Sequence, residues 1–437
     1  MSEEKIVSDI TCSFCGSLCD DIEVVLKGNE IVETRNACSL GNQKIMAQVS
    51  GHRLKTPMIR KNGKLEPCSM DEAIEEAAKI LINSKRPLLY GWASTSNEAI
   101  SEGIKLSEEV GGVMDNTATV CHGPSLLAVQ DMGYSGATLG DVRSRADLIV
   151  YWGSNPMAAH PRHLARYSTY ARGYFRSQGS KERKLVVVDP RHTDTAKIAD
   201  KHYQITPDSD FELVAALRSI LHGHELKVKE VGGLSKEELV DLANTLKSCS
   251  YGVLFFGLGL TMSKGRHRNI DVAIAMVHDL NAYGKWVLMP MRGHYNVCGA
   301  NTVSSWTSGY GYATDYSTGY PRYGPGEFSS NELLYKGEVD SLLNIAADPV
   351  GNFPGLALKH MSKIPVICID PHETPTTEIS KVVIPSTVIG VDTSGSAYRM
   401  DHIPLHLKKF IEPPEGVLDD VVILQKITEK VKELKTK

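Results

Sequence analysis

The sequence predicts an α/β protein with two Rossmann-like domains built on parallel sheets, preceded by a small cysteine-rich domain. Apolar strands alternate with amphipathic helices from residue 56 onward, and several of these strands run directly into Gly, Asn, Asp or Arg. Four of the nine cysteines lie within the first 38 residues. A chain of 437 residues, 42% of them hydrophobic and 23% charged, is long enough for two or three cores.

The composition excludes several classes of protein. The formal net charge is −4, and we find no Lys/Arg-rich run with interleaved aromatic residues, so nucleic acid is not an expected partner. No apolar run is long enough to span a bilayer, and the acidic N-terminus Met1–Lys5 has the features of neither a secretion signal nor a twin-arginine signal. We therefore expect a cytoplasmic protein, in which crowded cysteines indicate metal binding and not disulfides.

The crowded cysteines are Cys12, Cys15, Cys19 and Cys38, and a predicted hairpin over residues 22–33 separates the first three from the last. Spacings of two and three residues in a Gly-containing loop allow three thiolates to converge, and the returning chain supplies the fourth. Both iron–sulfur clusters and structural zinc accept four thiolates. Zinc sites usually consist of two paired CxxC motifs, so the triple-plus-single pattern favours a [4Fe–4S] cluster within residues 1–55.

The next elements lead to a short polar turn. A capping box begins at Ser69 and predicts a helix, residues 87–93 form a predicted buried strand, and residues 97–110 form a predicted helix that ends at two glycines. The chain then reaches Cys121-His122-Gly-Pro-Ser125, which places a thiolate beside an imidazole on a fixed turn. We expect Cys121 to act as a metal ligand, His122 as an acid/base group, and Ser125 to cap the following helix.

Four further strands are predicted at residues 148–152, 185–188, 253–256 and 286–289, and residues 270–280 form an amphipathic helix behind the third. Each strand runs into residues that suit a bound nucleotide: Gly153, Asn155 and Pro156 after the first, Asp189 and Arg191 after the second, Gly257 and Gly259 after the third, and Arg292 with His294 after the fourth. In a parallel sheet, ligands bind at the carboxyl ends of strands, where Gly admits a phosphate and an acidic residue binds ribose or base.

The pattern recurs near the end of the sequence. Strands at 341–346 and 366–369 run into Asp348 and Asp370, each followed by Pro, in the same order as Asn155-Pro156 and Asp189-Pro190. We therefore expect two nucleotide-binding domains, residues 116–299 and residues 56–115 with 300–437. Residues 301–330 are rich in Gly, Ser, Thr and Tyr, and we interpret them as a lid or partner-facing loop. Residues 417–437 form a predicted surface helix.

Taken together, these motifs resemble the bis-pyranopterin guanine dinucleotide (molybdopterin) oxidoreductases of the formate dehydrogenase type. The four N-terminal cysteines match the family's cluster motif, residues 152–156 its first dinucleotide motif, and residues 120–125 the active-site motif of its formate-converting members. The resemblance is greatest to members that reduce carbon dioxide to formate, reversibly, for the formylation of methanofuran in methanogenesis. Most relatives carry a further C-terminal β-barrel domain, which we expect to be absent from this chain.

The resemblance implies a cofactor and a set of roles. The expected cofactors are a [4Fe–4S] cluster and tungsten or molybdenum under two pyranopterin guanine dinucleotides, with Cys121 as protein ligand to the metal. Arg292 is the candidate for holding the substrate's carboxylate oxygens, because its guanidinium binds them in a bidentate way. His122 orients the substrate or moves a proton, and His294 is a supporting candidate. The implied partners are an amidohydrolase-like formyl-transferring subunit, a small β-barrel subunit that covers a pterin, and ferredoxin-like electron-transfer subunits.

One departure and three alternatives remain. Many relatives have a Lys two residues after the last cluster cysteine, whereas Leu40 holds that position here and Lys44 lies four residues further on. A stand-alone formate dehydrogenase, a non-catalytic electron-transfer subunit and a zinc-stabilised nucleotide-binding module are the alternative interpretations. The intact Cys121-His122 pair and cluster cysteines favour a working redox site. Tungsten and molybdenum take the same ligands, so the sequence does not distinguish them.

Overall fold

The computed structural model describes residues 4–49 and 51–436. The strands are β1 Glu4–Ile10, β2 Ile22–Lys27, β3 Glu30–Arg35, β4 Met58–Lys61, β5 Lys64–Pro67, β6 Pro87–Gly91, β7 Val113–Asn116, β8 Leu148–Trp152, β9 Lys184–Val188, β10 Lys201–Tyr203, β11 Glu230–Val231, β12 Leu234–Ser235, β13 Tyr251–Phe256, β14 Lys285–Pro290, β15 Thr314–Asp315, β16 Arg322–Tyr323, β17 Ser341–Ile345, β18 Val366–Asp370, β19 Val382–Pro385, β20 Gly395–Tyr398 and β21 Pro404–Leu407.

The α-helices, which alternate with these strands over much of the chain, are α1 Ser39–Met46, α2 Met70–Asn83, α3 Asn97–Val110, α4 Gly123–Met132, α5 Leu139–Arg145, α6 Pro156–Ala159, α7 His163–Arg166, α8 Asp194–Lys197, α9 Asp210–Leu221, α10 Lys236–Lys247, α11 Leu258–Thr261, α12 His267–Leu280, α13 Val297–Ser308, α14 Ser330–Lys336, α15 Pro349–Asn352, α16 Gly355–Met361, α17 Pro375–Ile379 and α18 Asp420–Lys435. Within the described ranges no helix combines the length and the apolar character needed to cross a membrane.

The chain divides into two compact units. The terminal unit comprises Met1–Thr119, His294–Arg399 and Pro404–Lys437, and the central unit comprises Val120–Gly293 and Met400–Ile403. Each unit is described separately below.

The central unit is organised around the parallel sheet β10-β9-β8-β13-β14. Its strands are rich in aliphatic and aromatic residues that are almost entirely buried, as expected for a parallel sheet covered by helices on both faces. One face packs against α9, α10 and α12, and the other against α5. The strand order reverses between β8 and β13, so their carboxyl ends form the topological switch point at which such sheets bind ligands.

The terminal unit carries a larger mixed sheet, β16-β15-β7-β6-β17-β18-β19-β4-β5. Its middle strands, from β7 to β19, are parallel, and antiparallel strands extend it at both edges. The order reverses between β6 and β17, which gives this unit a switch point of its own. Helices α2, α3 and α18 bury their apolar faces on this sheet, and the predicted capping box of Ser69 and Glu72 starts α2.

A small antiparallel sheet, β1-β2-β3, precedes the large one in the terminal unit. Strands β2 and β3 form the hairpin predicted between Cys19 and Cys38. The inner face of this sheet packs with Ile45 of α1 and with Val388 and Val391, which anchors the cysteine-bearing segments to the rest of the unit.

Two local predictions are wrong. Residues 301–330 do not form one long loop, because residues 301–308 are the second part of α13, where Asn301, Val303 and Ser304 are buried. Small polar residues interrupt the apolar positions of this helix, so its sequence does not show the periodicity of about 3.6 residues that predicts an amphipathic helix. Ser125 does not cap a helix either: α4 begins at Gly123, with Pro124 in its first turn, and the side chain of Ser125 bonds to His122 instead.

Candidate metal and dinucleotide site

The loop that carries the first three cysteines of the terminal unit is closed by its own backbone. The amide of Cys12 donates to the carbonyl oxygen of Cys19 at 2.8 Å, and the amide of Leu18 donates to that of Cys15 at 3.0 Å. Leu18 has a φ of 37°, an uncommon value that this tight turn imposes. The loop therefore has a defined shape that gathers its three thiols.

Cys38 reaches the same region from the start of α1. Its Sγ accepts a hydrogen bond from the Gly41 amide at 3.3 Å, so Cys38 also serves as N-cap. A Cβ added to Gly41 would lie 3.0 Å from the Sγ of Cys12 and 3.6 Å from that of Cys38. Glycine at this position thus lets two cysteines that are distant in sequence bring their sulfur atoms to one place.

The four thiols suit a sulfur-bound metal group. Burial raises the pKa of Cys12 to about 12, and the neighbouring thiols of Cys15 and Cys38 raise it further. Metal binding is the usual way to deprotonate such buried thiols. Within the described residues no three His, Cys, Asp or Glu side chains are grouped to hold a single ion. In a [4Fe–4S] cluster each thiolate binds a different iron, so the four need not share one centre.

Lys44 places a cation beside these thiols despite the Leu at position 40. Burial lowers the pKa of Lys44, while Cys12, Asp370 and Cys15 raise it, which shows that its ammonium lies near both the thiols and a buried acid. Its Nζ lies 5.2 Å from the centre of the Tyr295 ring. The position of the lysine in sequence thus differs from that in many relatives, but a lysine ammonium is present at the cysteine loop.

A cavity of about 320 Å³ lies at the carboxyl ends of β17 and β18 in the terminal unit. Lys44, His294, Asp348, Asp370 and Asp420 are among its lining residues. Burial raises the pKa of Asp370 to about 7 and that of Asp420 to about 6, so both carboxyls can carry a proton near neutral pH. The cavity therefore offers both hydrogen-bond donors and acceptors to a polar ring.

His294 belongs to this cavity. Its backbone forms an isolated antiparallel bridge with Cys15, and burial followed by the nearby Lys44 charge lowers its pKa. Although it lies two residues from Arg292 in sequence, His294 falls within the terminal unit and Arg292 within the central unit.

Asp348 and Asp370 are tied to the loops that follow their strands. The Thr376 hydroxyl donates to Asp348 Oδ1 at 2.6 Å and the Thr376 amide donates to the same oxygen at 3.1 Å. The His372 amide donates to Asp370 Oδ1 at 2.9 Å. These bonds fix the backbone turns that surround the cavity.

The switch point of the central unit is a close approach of two glycine-containing turns. Gly153, at a φ of 56°, accepts a hydrogen bond from the Gly259 amide at 2.9 Å. A Cβ on Gly153 would lie 2.8 Å from the Gly259 backbone, and one on Gly257 would lie 2.6 Å from the Gly153 carbonyl oxygen. Only glycine allows this approach, which leaves bare backbone at the carboxyl ends of β8 and β13. Such a cradle suits a pyrophosphate.

Asn155, Asp189 and Arg191 flank this cradle. The Thr195 hydroxyl donates to Asn155 Oδ1 at 2.7 Å, and the Arg191 amide donates to Asp189 Oδ1 at 2.8 Å. Pro156 follows Asn155 and starts α6. The side chain of Arg191 is 77% exposed and its Nε lies 3.8 Å from Asp189 Oδ1, so the guanidinium is held at the surface beside this turn.

Cys121 lies immediately before α4. Its carbonyl oxygen accepts a hydrogen bond from the Thr261 hydroxyl at 3.0 Å, which fixes the backbone of Cys121 to the end of α11. Burial raises the pKa of Cys121, whereas the positive charge of Arg292 and the amides of Gly293 and His122 lower it. The thiolate form, which is the metal ligand, is therefore supported by a cation and two backbone donors.

His122 is completely buried, and both of its ring nitrogens lie near protein groups. Nε2 lies 3.2 Å from the Met291 carbonyl oxygen and Nδ1 lies 3.1 Å from the Ser125 hydroxyl. A carbonyl oxygen can only accept, so Nε2 carries the hydrogen and Nδ1 accepts from Ser125. Burial, with Arg292 next, lowers the pKa of His122 to about 3, which keeps the ring neutral.

Arg292 follows β14 by two residues and is 3% exposed. The structure therefore brings Cys121, His122 and Arg292 together, as the sequence predicts. His160 is a residue that sequence reasoning missed: its Nε2 lies 2.8 Å from the Arg292 carbonyl oxygen. The available signal was a His-Pro pair four residues after Asn155-Pro156. Thr195, Thr376 and Asp420 were missed because single polar residues in the first turn of a helix carry no pattern that indicates a ligand site.

The chain matches a family model described as molybdopterin oxidoreductase over residues 53–430. Because the match covers most of its length, the chain belongs to the molybdopterin oxidoreductase family. The predicted α/β class with parallel sheets and the predicted family are confirmed.

Within the family, the chain is 52% identical over 432 residues to the B subunit of the tungsten-containing formylmethanofuran dehydrogenase 2 of Methanocaldococcus jannaschii, a match covering 98% of this chain and 99% of the relative. The protein of the same description from Methanococcus maripaludis is 49% identical over 433 residues, which cover 99% of this chain and all of the relative. Formate dehydrogenase H of Escherichia coli is 25% identical, and the match covers 98% of this chain and 69% of that enzyme. The predicted resemblance to the members that serve methanofuran formylation is thereby confirmed.

Two solved structures share the fold. One is a chain of the formyltransferase/hydrolase complex FhcABCD from Methylorubrum extorquens with methylofuran, with a TM-score of 0.72 and 20% identity, covering 87% of this chain and 100% of that chain. The other is acetylene hydratase from Pelobacter acetylenicus, with a TM-score of 0.71 and 12% identity, covering 98% of this chain and 69% of that chain. At these identities the likeness concerns the fold alone.

Proposed function

We propose that the chain is the catalytic redox subunit of a formylmethanofuran dehydrogenase, which reduces carbon dioxide to formate reversibly for the formylation of methanofuran. The observation that carries the proposal is the Cys121 thiol beside the Arg292 charge, in the unit whose sheet ends in a glycine cradle. Identity at about half of all positions to the corresponding subunits of two such enzymes, over nearly the whole of each chain, supports the same reaction.

The residues present fit a metal held by two pyranopterin guanine dinucleotides. The bare backbone of Gly153, Gly257 and Gly259 admits a pyrophosphate, and Asp348 and Asp370 line a cavity of similar position in the other unit. Cys121 provides the soft sulfur ligand that tungsten and molybdenum prefer. When bound, the metal centre supplies the two-electron chemistry that interconverts carbon dioxide and formate.

The chain's own residues then bind and orient the substrate. Arg292 is the group that binds the carboxylate oxygens of formate, because a guanidinium offers two parallel donors to two oxygens. The neutral ring of His122 holds the backbone of Met291 next to Arg292 and borders the same site. Both side chains are buried, so the charge of Arg292 acts in surroundings of low dielectric constant, where its interaction with an anion is stronger than in water.

Electrons are proposed to pass through a [4Fe–4S] cluster bound by Cys12, Cys15, Cys19 and Cys38. Lys44 supports this role, since its ammonium lies close enough to two of these thiols and to Asp370 to interact with them electrostatically. A cation at this position favours the reduced, more negative cluster. The proposed domain assignment is residues 1–55 for the cluster, residues 56–115 with 300–437 for one dinucleotide, and residues 116–299 for the other.

The proposed setting is a cytoplasmic complex. Its other members are an amidohydrolase-like subunit that transfers the formyl group, a small β-barrel subunit that covers a pterin, and ferredoxin-like electron carriers. The complex named in the neighbouring structure from Methylorubrum extorquens supports an assembly of several subunits.

The test is metal analysis and activity of the purified complex. We expect about one tungsten or molybdenum atom per chain, four irons bound by this chain, and carbon dioxide reduction to formate with a low-potential electron donor. Absence of both metals from an otherwise folded complex would contradict the proposal. Formate oxidation without any associated amidohydrolase-like subunit would instead support the stand-alone formate dehydrogenase, the alternative suggested by the more distant relatives.

A further inference from the structure

His160 is buried behind the Arg292 loop and is assigned no role by the proposed reaction. It lies at the end of α6, directly after the Gly153–Pro156 turn, and is 2% exposed. Its Nε2 lies 2.8 Å from the Arg292 carbonyl oxygen. Since that oxygen can only accept, Nε2 carries the hydrogen and the ring donates to the backbone of Arg292.

The other ring nitrogen of His160, Nδ1, is buried and makes no hydrogen bond to the described residues. A buried acceptor without a donor destabilises the folded state, so packing alone does not explain an imidazole here. The single bond that the ring does make is directed at Arg292.

Two histidines together hold consecutive carbonyl groups of the same loop. His122 donates to the carbonyl of Met291 at 3.2 Å, and His160 donates to that of Arg292 at 2.8 Å. The Met291 amide in turn donates to the Phe256 carbonyl oxygen on β13 at 2.8 Å. Gly293, the residue after Arg292, donates its backbone amide toward the Cys121 thiol. His160 therefore restrains the backbone of Arg292 at its carbonyl group, between the bonds at Met291 and the amide of Gly293.

His160 is itself held by a rigid aromatic neighbourhood. The ring of His163 lies edge-on to it with centroids 6.4 Å apart, and the Tyr151 hydroxyl lies 2.9 Å from His163 Nδ1. Tyr151 is a fully buried residue of β8. His163 and Tyr151 thus fix the position of the His160 ring relative to strand β8 of the central sheet.

We propose that His160 is a positioning residue that fixes the Arg292 guanidinium beside Cys121, so that it meets the carboxylate of formate. The identity of this anion rests on the proposed function, but the positioning of Arg292 does not. Glutamine is the conservative replacement, because its amide nitrogen is as far from Cα along the side chain as Nε2 of histidine. Asparagine is one bond shorter and cannot reach, so His160→Gln and His160→Asn form a matched pair that differs only in reach.

The first experiment measures whether the Arg292 charge lies close to Cys121, and it requires no enzymatic activity. In the full chain produced without the metal cofactor, Cys121 is alkylated with anionic iodoacetate or neutral iodoacetamide, and peptide mass spectrometry follows Cys121 and, as an internal reference, Cys249. A nearby Arg292 favours the anionic reagent at Cys121. We expect His160→Asn to lower this preference about fivefold, as Arg292→Gln does, and His160→Gln to keep it within about twofold.

The second experiment uses the intact complex. His160→Asn is expected to raise the KM for formate about tenfold and the formate Kd from equilibrium dialysis by the same factor, with kcat within about threefold of wild type. His160→Gln should restore all three values to within about twofold. His278→Asn, at a side chain that is 89% exposed in the same unit, is the control that leaves them unchanged.

Equal alkylation preference in wild type, His160→Asn and His160→Gln would overturn the inference, and so would equal losses in the Gln and Asn variants. If His160→Asn failed to fold, a His160→Gln variant with a fivefold loss of preference would count against it in the same way. A wild-type complex that does not convert formate would contradict the proposed function, while the alkylation arm would still decide the role of His160.

Discussion

The Thr195 hydroxyl donates a 2.7 Å hydrogen bond to Asn155 Oδ1, and the same bond recurs in the other unit at 2.6 Å between Thr376 and Asp348. Each Thr follows an Asp-Pro pair by the same number of residues, and each also accepts a bond from the amide two positions after the Asn or Asp, Met157 or Val350. The two units are therefore repeats not only in strand order but in the hydrogen bonds of their ligand turns. The accepting side chain is the amide of Asn155 in the central unit and the carboxylate of Asp348 in the terminal unit.

This repeat predicts matched effects of removing either hydroxyl. Thr195→Val and Thr376→Val keep the side-chain volume but remove the hydroxyl that donates to Asn155 or Asp348 and accepts from the amide of Met157 or Val350. We expect each to lower the free energy of unfolding by about 1 kcal/mol. We also expect each variant to lose guanine dinucleotide, measured as guanine nucleotide released from the denatured complex. Thr318→Val, at an exposed position, is the control. Full dinucleotide content in both variants would show that the turns serve the fold alone.

Replacement of Cys121 separates the metal centre from the cluster. In Cys121→Ser the harder oxygen replaces sulfur next to the metal, so carbon dioxide–formate conversion should fall by at least a hundredfold. The visible absorption and iron content of the cluster should remain as in wild type. Cys68 is a half-buried residue that belongs neither to the four N-terminal cysteines nor to the Cys121 turn, so Cys68→Ser should leave activity unchanged. Substantial activity in Cys121→Ser would remove this residue as metal ligand.

The charge of Lys44 should set the potential of the cluster. Reduction adds a negative charge, so a nearby cation favours the reduced state, and loss of one unit charge at about 10 Å with an effective dielectric constant of about 20 corresponds to roughly 50–100 mV. We expect Lys44→Gln to lower the reduction potential by this amount and Lys44→Arg to leave it nearly unchanged. A potentiometric titration followed by electron paramagnetic resonance measures the shift. Equal potentials in the Gln and Arg variants would contradict the assignment.

The glycine cradle should not tolerate a methyl group. Gly153→Ala combines the cost of a positive φ with a Cβ only 2.8 Å from the Gly259 backbone, and we expect it to lower the free energy of unfolding by about 2–4 kcal/mol. Gly223 also has a positive φ, but open space surrounds it. Gly223→Ala should therefore cost only about 1 kcal/mol, and urea denaturation of both variants isolates the effect of the close approach.

Asp370 should make the cofactor-free chain less stable as the pH rises. Burial raises its folded-state pKa to about 7 from an ordinary value of 3.8, so between these values the folded chain binds the proton that the unfolded chain has released. Stability linked to this group is fully present below about pH 4 and decreases up to about pH 7, by roughly 2–4 kcal/mol. Asp370→Asn should remove this dependence. Parallel stability curves for the two proteins over this range would argue against a raised pKa.

The long strands and helices could be predicted from sequence because their local patterns agree with their final environment. Strand β8 and helix α3 have the predicted bounds, and the ends of β9, β13 and β14 differ by one or two residues. Buried parallel strands give continuous apolar runs, and Asn97–Val110 has both a capping Ser and a terminal Gly. In these elements the tertiary environment adds nothing that contradicts the local signal.

The errors fall where tertiary contacts decide. Helix α13 contains Gly299, Asn301 and Ser304, which are unfavourable in an isolated helix but are buried here, so contacts within the unit stabilise them. At the candidate site, Cys121 could be predicted because it lies in a recognisable sequence motif. The hydrogen bond of His160 could not, because it joins His160 to Arg292, 132 residues further along the chain. No local pattern reports such a bond, because the donor is a side chain and the acceptor a backbone carbonyl.

The order of strands in the terminal unit has a consequence for biosynthesis. Strand β6 pairs with β17, and Pro87 lies beside Ser341 in the sheet. At a translation rate of about 5–20 residues per second, β6 waits roughly 13–50 s on the ribosome before its neighbour exists. Most of the central unit, residues 120–293, is synthesised within this interval and can fold first. The cysteine segments and the apolar strands of the N-terminal part therefore emerge early and are enclosed late. The cavity around Asp348 and Asp370 is completed only after the last strands leave the ribosome.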